Sequence, residues 1–516
     1  LLASANFNLT EDFTLKSILG ATSSTYINHF FGLRSNNLAV PGLYDLTNGT
    51  LEATPTTFDT TERSYAYFAD LTFGYKNMVF VNLTGRYDFT STLPSDENSY
   101  FYPAISASAV VTDIIPSLKG DVMNYLKVFG SNSTVYNALG AEETTEVFGT
   151  PLAVAGTPGF ELQNGFIDAG IKKEKINSTE FGLNAGFFNN RLRVDATYFK
   201  TLITDNIVPT TTPNSSGGNS FRTNIGELES DGIELTLGGT ILKSENFSWD
   251  VNVNYTSVKT VVNSIAPGLD EVVLATTGEY GIYAEVGETF PAVKASAYYR
   301  DPNGNVVIDP ANGNPISTTS LPNDNPQSGL KNLGTTTPKH IIGLSSSINY
   351  KNFRLATTID YRTGHVYYAQ GSDAMEFTGR SQESVSANRQ DFIFPNSVIE
   401  TSPNVFVANT NLPITNGNQD YWTNTYNEIK ENYVRDATAV KIREISLSYE
   451  LPQKFLDRTP LKKLTVGIIG RNLFTWLPKE NRFADPEFSN NAGPSGNAIG
   501  IGCLLYTSDA ADDLLC

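Results

Sequence analysis

The sequence predicts an all-β chain, one large antiparallel β-barrel of the membrane-spanning kind, and three observations carry that expectation. Segments alternate apolar and polar residues over lengths close to the roughly 9–11 residues that cross a bilayer at a tilt. Pairs of such segments are joined by very short polar turns, whereas the connections between pairs are long. No stretch reaches the roughly 18 apolar residues of a transmembrane helix, so a crossing requires a closed barrel, whose strands satisfy their backbone groups in one another.

Taken in order, the elements repeat one unit. Ala3, Ala5, Phe7 and Leu9 lead into Glu11-Asp12, and Phe13, Leu15 and Leu19 return. Tyr65, Tyr67, Ala69, Leu71, Phe73 and Tyr75 reach Lys76-Asn77, followed by Val79, Val81, Leu83 and Tyr87. Phe181, Leu183, Ala185 and Phe187 precede Asn189-Asn190, with Leu192, Val194, Ala196 and Tyr198 after it. In the segment 249–256, Trp249, Val251, Val253 and Tyr255 share one face, while Asp250, Asn252, Asn254 and Thr256 share the other. Ile342, Leu344, Ile348 and Tyr350 run to Lys351-Asn352, and Phe353, Leu355, Ile359 and Tyr361 come back. Each pair reads as a hairpin with an Asn-rich turn.

Counting hairpins gives about fourteen strands of spanning length. Polar loops are expected at about 28–61, 132–175, 262–335 and 366–432. Tight turns at one end and long loops at the other are the asymmetry of outer-membrane barrels; a soluble sandwich lacks it. Tyr75, Phe187, Phe188, Tyr350 and Phe353 beside the short turns suit an interfacial girdle, or simple packing on neighbouring turns. Arg86, Asp88, Arg193, Asp195, Asp360 and Glu450 fall on the polar phase, where a dry core would impose a desolvation cost on each charge. They call for a wet interior or a plug that pairs with them.

Composition narrows the function. Charged residues are 17% of the 516, below the roughly 25% of soluble domains. A net charge of -18 opposes a nucleic-acid partner, whose phosphates the summed field would repel. Only Cys503 and Cys516 occur, so neither disulfides nor thiolate sites carry the body. Residues 503–516 break the preceding pattern and resemble a translated sequencing-adaptor end, so the organisation reads as a barrel segment over 1–502 and a non-native tail over 503–516. The opening residues already lie inside a strand pattern, so the chain reads as a fragment.

Three stretches resemble the SusC/RagA-type, TonB-linked outer-membrane receptors. The first runs from Gly85-Arg-Tyr-Asp-Phe-Thr-Ser-Thr-Leu-Pro94 to Ser99-Tyr-Phe-Tyr-Pro-Ala-Ile-Ser-Ala-Ser108 and contains Arg86 and Asp88. The second is the strand pair after Asn177, continuing to Asn224-Ile-Gly-Glu-Leu-Glu-Ser-Asp-Gly-Ile-Glu-Leu235 with Asn224, Gly226, Gly232 and Glu234. The third begins at Tyr433-Val-Arg435, passes through Val440-Lys-Ile-Arg-Glu-Ile-Ser-Leu-Ser-Tyr-Glu-Leu-Pro452 and the strand bearing Arg471 and Asn472, and ends at Asp485-Pro486-Glu487. The resemblance implies a 22-stranded barrel in the complete protein, an N-terminal plug, a SusD-like lipoprotein partner and energy from the TonB complex. This chain lacks the plug and the TonB-contacting segment of that pattern. The expected location is the outer membrane, with its lipid against the apolar face.

Signs of bond chemistry are few. His29, His340 and His365 lack metal-type spacing, and neither a phosphate-cradling loop nor a nucleophile elbow is found, so an enzyme, a metal and a cofactor are not expected. Asp301-Pro-Asn-Gly-Asn-Val-Val-Ile-Asp309 partly imitates a calcium loop, but Val306 and Asn312 stand where Gly and Glu belong, and a polar turn is the simpler reading. Tyr298, Tyr299, Tyr367, Tyr368, Tyr421 and Trp422 lie in or beside long loops, where rings suit stacking on a glycan or peptide; anchoring is the alternative. The expected function is TonB-dependent uptake of such a nutrient. A siderophore receptor on the same fold, or a non-transporting all-β surface adhesin or scaffold, is the alternative.

Overall fold

A computed structural model describes residues 1–502 except 36, 52, 94, 96, 138, 141–147, 155–156, 163–164, 212–214, 216–219, 225, 267, 416, 418, 482–483, 488 and 492–498. The tail over 503–516 lies outside the described residues. Fourteen strands form one antiparallel sheet in strict chain order. They are β1 Leu2–Asn8, β2 Phe13–Arg34, β3 Thr54–Tyr75, β4 Val79–Thr90, β5 Ser99–Val110, β6 Met123–Asn137 and β7 Glu174–Phe187. Then follow β8 Leu192–Thr204, β9 Glu227–Lys243, β10 Phe247–Ser264, β11 His340–Tyr350, β12 Phe353–Thr363, β13 Ala439–Glu450 and β14 Thr465–Trp476. β1 and β14 are the two edges of this wall.

The register shows why the alternation reads as two surfaces. Leu126, Ala185, Val194, Leu237, Val253, Leu344, Ile359, Ile442 and Phe474 stand opposite one another from β6 to β14, an unbroken apolar row. One residue away, Lys127, Asn184, Asp195, Thr236, Asn254, Gly343, Asp360, Lys441 and Thr475 form the matching row on the other face. A side-chain period of two makes a one-residue slip fatal to both surfaces, so register is strongly specified.

The short turns sit at one end of the wall. Lys76 and Asn77, then Asn189 and Asn190, and Lys351 adopt left-handed backbone, which suits the twist of tight hairpins and which Asn tolerates well. Beside these turns Phe13 and Tyr75 pack at 4.8 Å and Phe353 and Tyr449 at 4.5 Å between ring centres.

At the other end the connections are longer than a hairpin needs, yet they are not unstructured, which corrects two expectations. The loop expected at 28–61 is strand over 28–34 and 54–61, because β2 and β3 continue for 22 residues each. The loops expected at 262–335 and 366–432 fold into small sheets: one of Glu271–Thr277, Tyr280–Glu285, Ala292–Ala295 and Lys331–Thr335, another of Val306–Ile308, Ser397–Ser402 and Val405–Ala408. Val366–Ala369 pairs with Val434–Asp436, and a helix spans Gln370–Phe377.

These loops hold the largest buried apolar cluster among the described residues. Tyr280, Ile282, Val293, Ala295, Tyr368 and Tyr433 pack with Leu228 of β9 and Val262 of β10, and Ile203 of β8 borders them. Leu228 and Val262 have the phase of the polar face, so the loop assembly sits over the inner side of the wall. The outer face needs no such cover if lipid meets it.

Candidate functional site

The most concentrated chemistry on the inner face is an ion network on β12 and β13. Asp360 and Lys441 are register partners on adjacent strands. Beside them the ladder slips: Thr358 pairs with Glu444 and Ile359 with Ile442, leaving Arg443 as an extra residue. β14 answers with a shift of its own, where Asn472 takes φ +50°. A bulge places consecutive side chains on one side and re-aims them. Arg443, two residues on from Lys441, shares the inner face with it, the bulge adds Glu444 to that side, and the Arg443 guanidinium lies 2.5 Å from Asp360 Oδ2.

Asp485-Pro486-Glu487 returns to this point after β14. Lys441 Nζ donates to Asp485 Oδ1 at 2.6 Å and to Glu487 Oε2 at 2.6 Å, and Arg443 donates to Glu487 Oε2 at 2.7 Å. Arg362 lies 3.1 Å from Asp360 and 3.4 Å from Glu487. Three cations thus meet three carboxylates, and such charge-assisted bonds hold well where water is scarce. The Arg443 and Lys441 partners hold the Glu487 carboxyl down to about 2, against the opposing effect of its burial.

Above the network a cavity of about 540 Å³ is lined by Arg362, His365, Tyr367, Pro486 and Glu487. The Tyr367 hydroxyl donates to Asn481 Oδ1 and, at 3.3 Å, to the Ala484 carbonyl. Residues 484–487 are consequently a strap, tied to the loop assembly through Tyr367 and to the wall through Lys441 and Arg443. Burial lowers the His365 imidazole to about 4, so it is neutral at ordinary pH.

The six loop aromatics are not laid open for stacking. Tyr298, Tyr299, Tyr367, Tyr368, Tyr421 and Trp422 are each at most 8% exposed. Tyr368 stacks on Tyr280 at 4.4 Å, Tyr421 meets Trp422 edge-on at 5.1 Å, and Tyr298 packs with Val306 and Ile429. Their polar ends are satisfied inside the assembly: Tyr298 donates to Asn432 at 2.8 Å, Tyr299 to Glu400 at 3.1 Å and the Trp422 indole to the Gly417 carbonyl at 3.0 Å. Burial raises the Tyr298 hydroxyl well above its ordinary value. All six rings help to build the loop assembly, where a large ring gains from desolvated packing.

One carboxylate in this assembly stands apart. Glu376 is fully buried in the helix Gln370–Phe377, with Ser372 Oγ at 3.0 Å and Arg435 only as near as 3.9 Å. Burial raises its carboxyl to about 7.

With this geometry in view, the chain can be set beside known proteins. Residues 2–473 match the family described as TonB dependent receptor-like, beta-barrel. The chain belongs to that family. TonB-dependent receptor P26 of Formosa agariphila is 25% identical over 451 residues, covering 82% of this chain and 42% of the relative. TonB-dependent receptor SusC of Bacteroides thetaiotaomicron is 23% identical over 345 residues, covering 61% and 32%. The RagAB peptide transporter structure superposes with a TM-score of 0.75 at 17% identity, over 97% of this chain and 52% of that one. The chain spans less than half the length of these two curated relatives.

The TonB-dependent receptor barrel is a protein of the outer membrane, and receptors of this family are not enzymes. Its motif residues hold local geometry. Arg86 donates to Asp88 at 2.6 Å on the inner face. Asn224 accepts from the Lys172 amide at 2.7 Å and donates to the Lys172 and Asp205 carbonyls at 2.9 and 2.7 Å, joining three loop segments. Gly226 has φ +59°, and a Cβ there would lie 1.7 Å from the Ser264 carbonyl oxygen. Gly232 lies under the Phe199 ring, where a Cβ would come within 2.6 Å. Glu234 lies on the inner face between Thr197 and Thr256, and Arg471 donates to Glu444 at 3.3 Å.

Two features remained outside the motif reading. Asp301 accepts from the Asn303 and Asn305 amides at 2.9 and 2.8 Å, closing a turn ahead of the strand Val306–Ile308. Among the described residues no group of three or more His, Cys, Asp or Glu side chains could hold a metal. Lys441 and Arg443 were present in a quoted stretch but not singled out. The signal was a phase slip: the apolar positions Val440 and Ile442 are followed by Ile445, Leu447 and Tyr449, three residues on instead of two.

Proposed function

We propose that this wall is part of a TonB-dependent outer-membrane transporter that imports a nutrient, a glycan or an oligopeptide. The observation that carries the reading is the inner face: a continuous polar row beside a continuous apolar one, with the loop assembly seated over the polar side. Such a surface suits a hydrated path for a solute, because hydroxyl and amide groups replace water contacts without strong trapping. Kinship with proteins named SusC and RagAB supports import, and the peptide named for RagAB is one of the two solute classes proposed. In this reading a SusD-like lipoprotein covers the loops, the TonB complex supplies energy, and the strap at 484–487 links loop position to the wall.

The test uses the full-length gene in cells with and without TonB. Uptake of labelled oligosaccharides or oligopeptides that disappears on TonB deletion is the expected result. Uptake indifferent to that deletion refutes the coupling.

A further inference from the structure

The outer face changes character at one level across the middle of the wall. Six residues along each strand from Leu126, Ala185, Val194, Leu237 and Val253 of the apolar row stand Asn132, Thr179, Lys200, Asp231 and Lys259. These are register partners in that order from β6 to β10, and an even step with no bulge inside it keeps them on the apolar row's side. From Trp249, beside the short turns, to Lys259 is about 33 Å of strand, or about 25 Å of height at the roughly 40° tilt of such barrels. That is the height of an outer-membrane barrel's apolar band, so the second row stands at headgroup level on the side where the long loops face outward.

Lys200, Asp231 and Lys259 are all exposed, so two lysines about 10 Å apart flank one acid. Lys200 also meets Glu229 at 2.7 Å, but both side chains are partly in solvent, and such a pair yields readily to a phosphate. On β6 and β7 the same face is uncharged and polar: Asn132 Nδ2 donates to Thr179 Oγ1 at 2.8 Å, and Asn177 Nδ2 to Thr134 Oγ1 at 2.9 Å. Amides and hydroxyls of this kind suit sugar hydroxyls, as ammonium groups suit phosphate. Just below the row, Phe181, Tyr198 and Ile233 are 61%, 45% and 50% exposed, a surface for acyl chains. A plug fills the lumen and further strands join at β1 or β14, so neither covers this patch.

We propose that Lys200 and Lys259 dock the phosphate of an outer-leaflet glycolipid, whose sugar meets the Asn132 and Asn177 amides and whose chains lie on Phe181, Tyr198 and Ile233. The site continues the lipid-facing surface and does not depend on what the barrel carries. Full-length receptor in non-ionic detergent is titrated with monophosphoryl lipid A, with the same lipid stripped of phosphate, and with dioleoylphosphatidylglycerol, and adducts are counted by native mass spectrometry. Wild type is expected to hold the phosphorylated lipid A at least about tenfold more tightly than either comparison lipid. The Lys200→Gln/Lys259→Gln double variant should lose about tenfold in affinity for it. Asp231→Asn should gain about threefold, because it removes a negative charge beside the phosphate. Lys127→Gln, on the inner row, should change nothing, and heat-modifiable migration reports whether each variant is folded.

Folded wild type that holds the dephosphorylated lipid equally well, a folded double variant that binds as wild type does, or weaker binding in Asp231→Asn overturns the site. An equal loss in Lys127→Gln also overturns it, by showing that overall charge decides. Phosphatidylglycerol held as tightly as lipid A overturns the assignment to a glycolipid.

Discussion

Lys441 Nζ and Asp485 Oδ1 meet at 2.6 Å across 44 residues of sequence, joining the inner face of β13 to the segment that follows β14. That bond and the Arg443 pairs beside it make residues 484–487 a strap between wall and loops. Removing one partner of a buried charge pair leaves the other uncompensated, which costs more than the pair itself contributes.

Glu487→Gln is therefore expected to loosen the strap while leaving the barrel folded. Each lost charge-assisted hydrogen bond is worth about 1.5–3 kcal/mol, so amide exchange in 484–487 should accelerate by roughly one to two orders of magnitude. Hydrogen-exchange mass spectrometry on the full-length receptor reads this directly. Unchanged protection there would show that the Tyr367 contacts alone hold the strap.

Two loop carboxylates should respond to pH with opposite sign. Glu487 is held at about 2, below its ordinary 4.5, so its stabilising effect is complete above about pH 4.5 and is lost as pH falls toward 2. Glu376 is raised to about 7 by burial, so the unfolded loop ionises first, and stability falls as pH rises from about 4.5 through 7. Protection of the helix Gln370–Phe377 should decline over that upper window in wild type and stay flat in Glu376→Gln. A decline of equal size in the variant would assign the effect to another group.

Gly226→Ala should impair assembly of the wall. Its φ of +59° alone costs a side-chain-bearing residue on the order of 1 kcal/mol, and the Ser264 carbonyl at 1.7 Å from the added Cβ forces the backbone apart. A lower yield of heat-modifiable protein is the readout. Gly238→Ala offers a contrast, since the nearest neighbours there are side-chain atoms of Asn252 and Arg193.

What could be read in advance followed from physics that acts locally. The turn at Lys351-Asn352 and the opposed faces of 249–256 follow from a period of two and from residues that accept left-handed backbone. The loop assembly could not be read that way. Tyr368 and Tyr433 gain their burial from strands far earlier in the chain, such as the one bearing Tyr280, and pairing over such distances leaves no local pattern. The same holds for the strap, where Asp485 finds Lys441 only because the chain turns back. Arg443 was the intermediate case: the slip from Ile442 to Ile445 was visible, but its consequence for side-chain direction needed the neighbouring strands.

The lipid-facing row admits the most decisive test. Val194 stands between Ala185 and Leu237, and Leu355 between Ile348 and Leu447, all on the outer face. An arginine placed there must bury its charge in hydrocarbon or distort the bilayer, at about 2–4 kcal/mol near the midplane and less toward either interface. Val194→Arg and Leu355→Arg should therefore reduce insertion, as should Val466→Arg on β14, where Val466 is register partner to Tyr449. Thr236→Arg, one residue from Leu237 but on the polar row, should be far milder because its charge stays wetted from within. Quantitative folding into vesicles measures the difference, and equal tolerance at Val194 and Thr236 would contradict the assignment of the two faces.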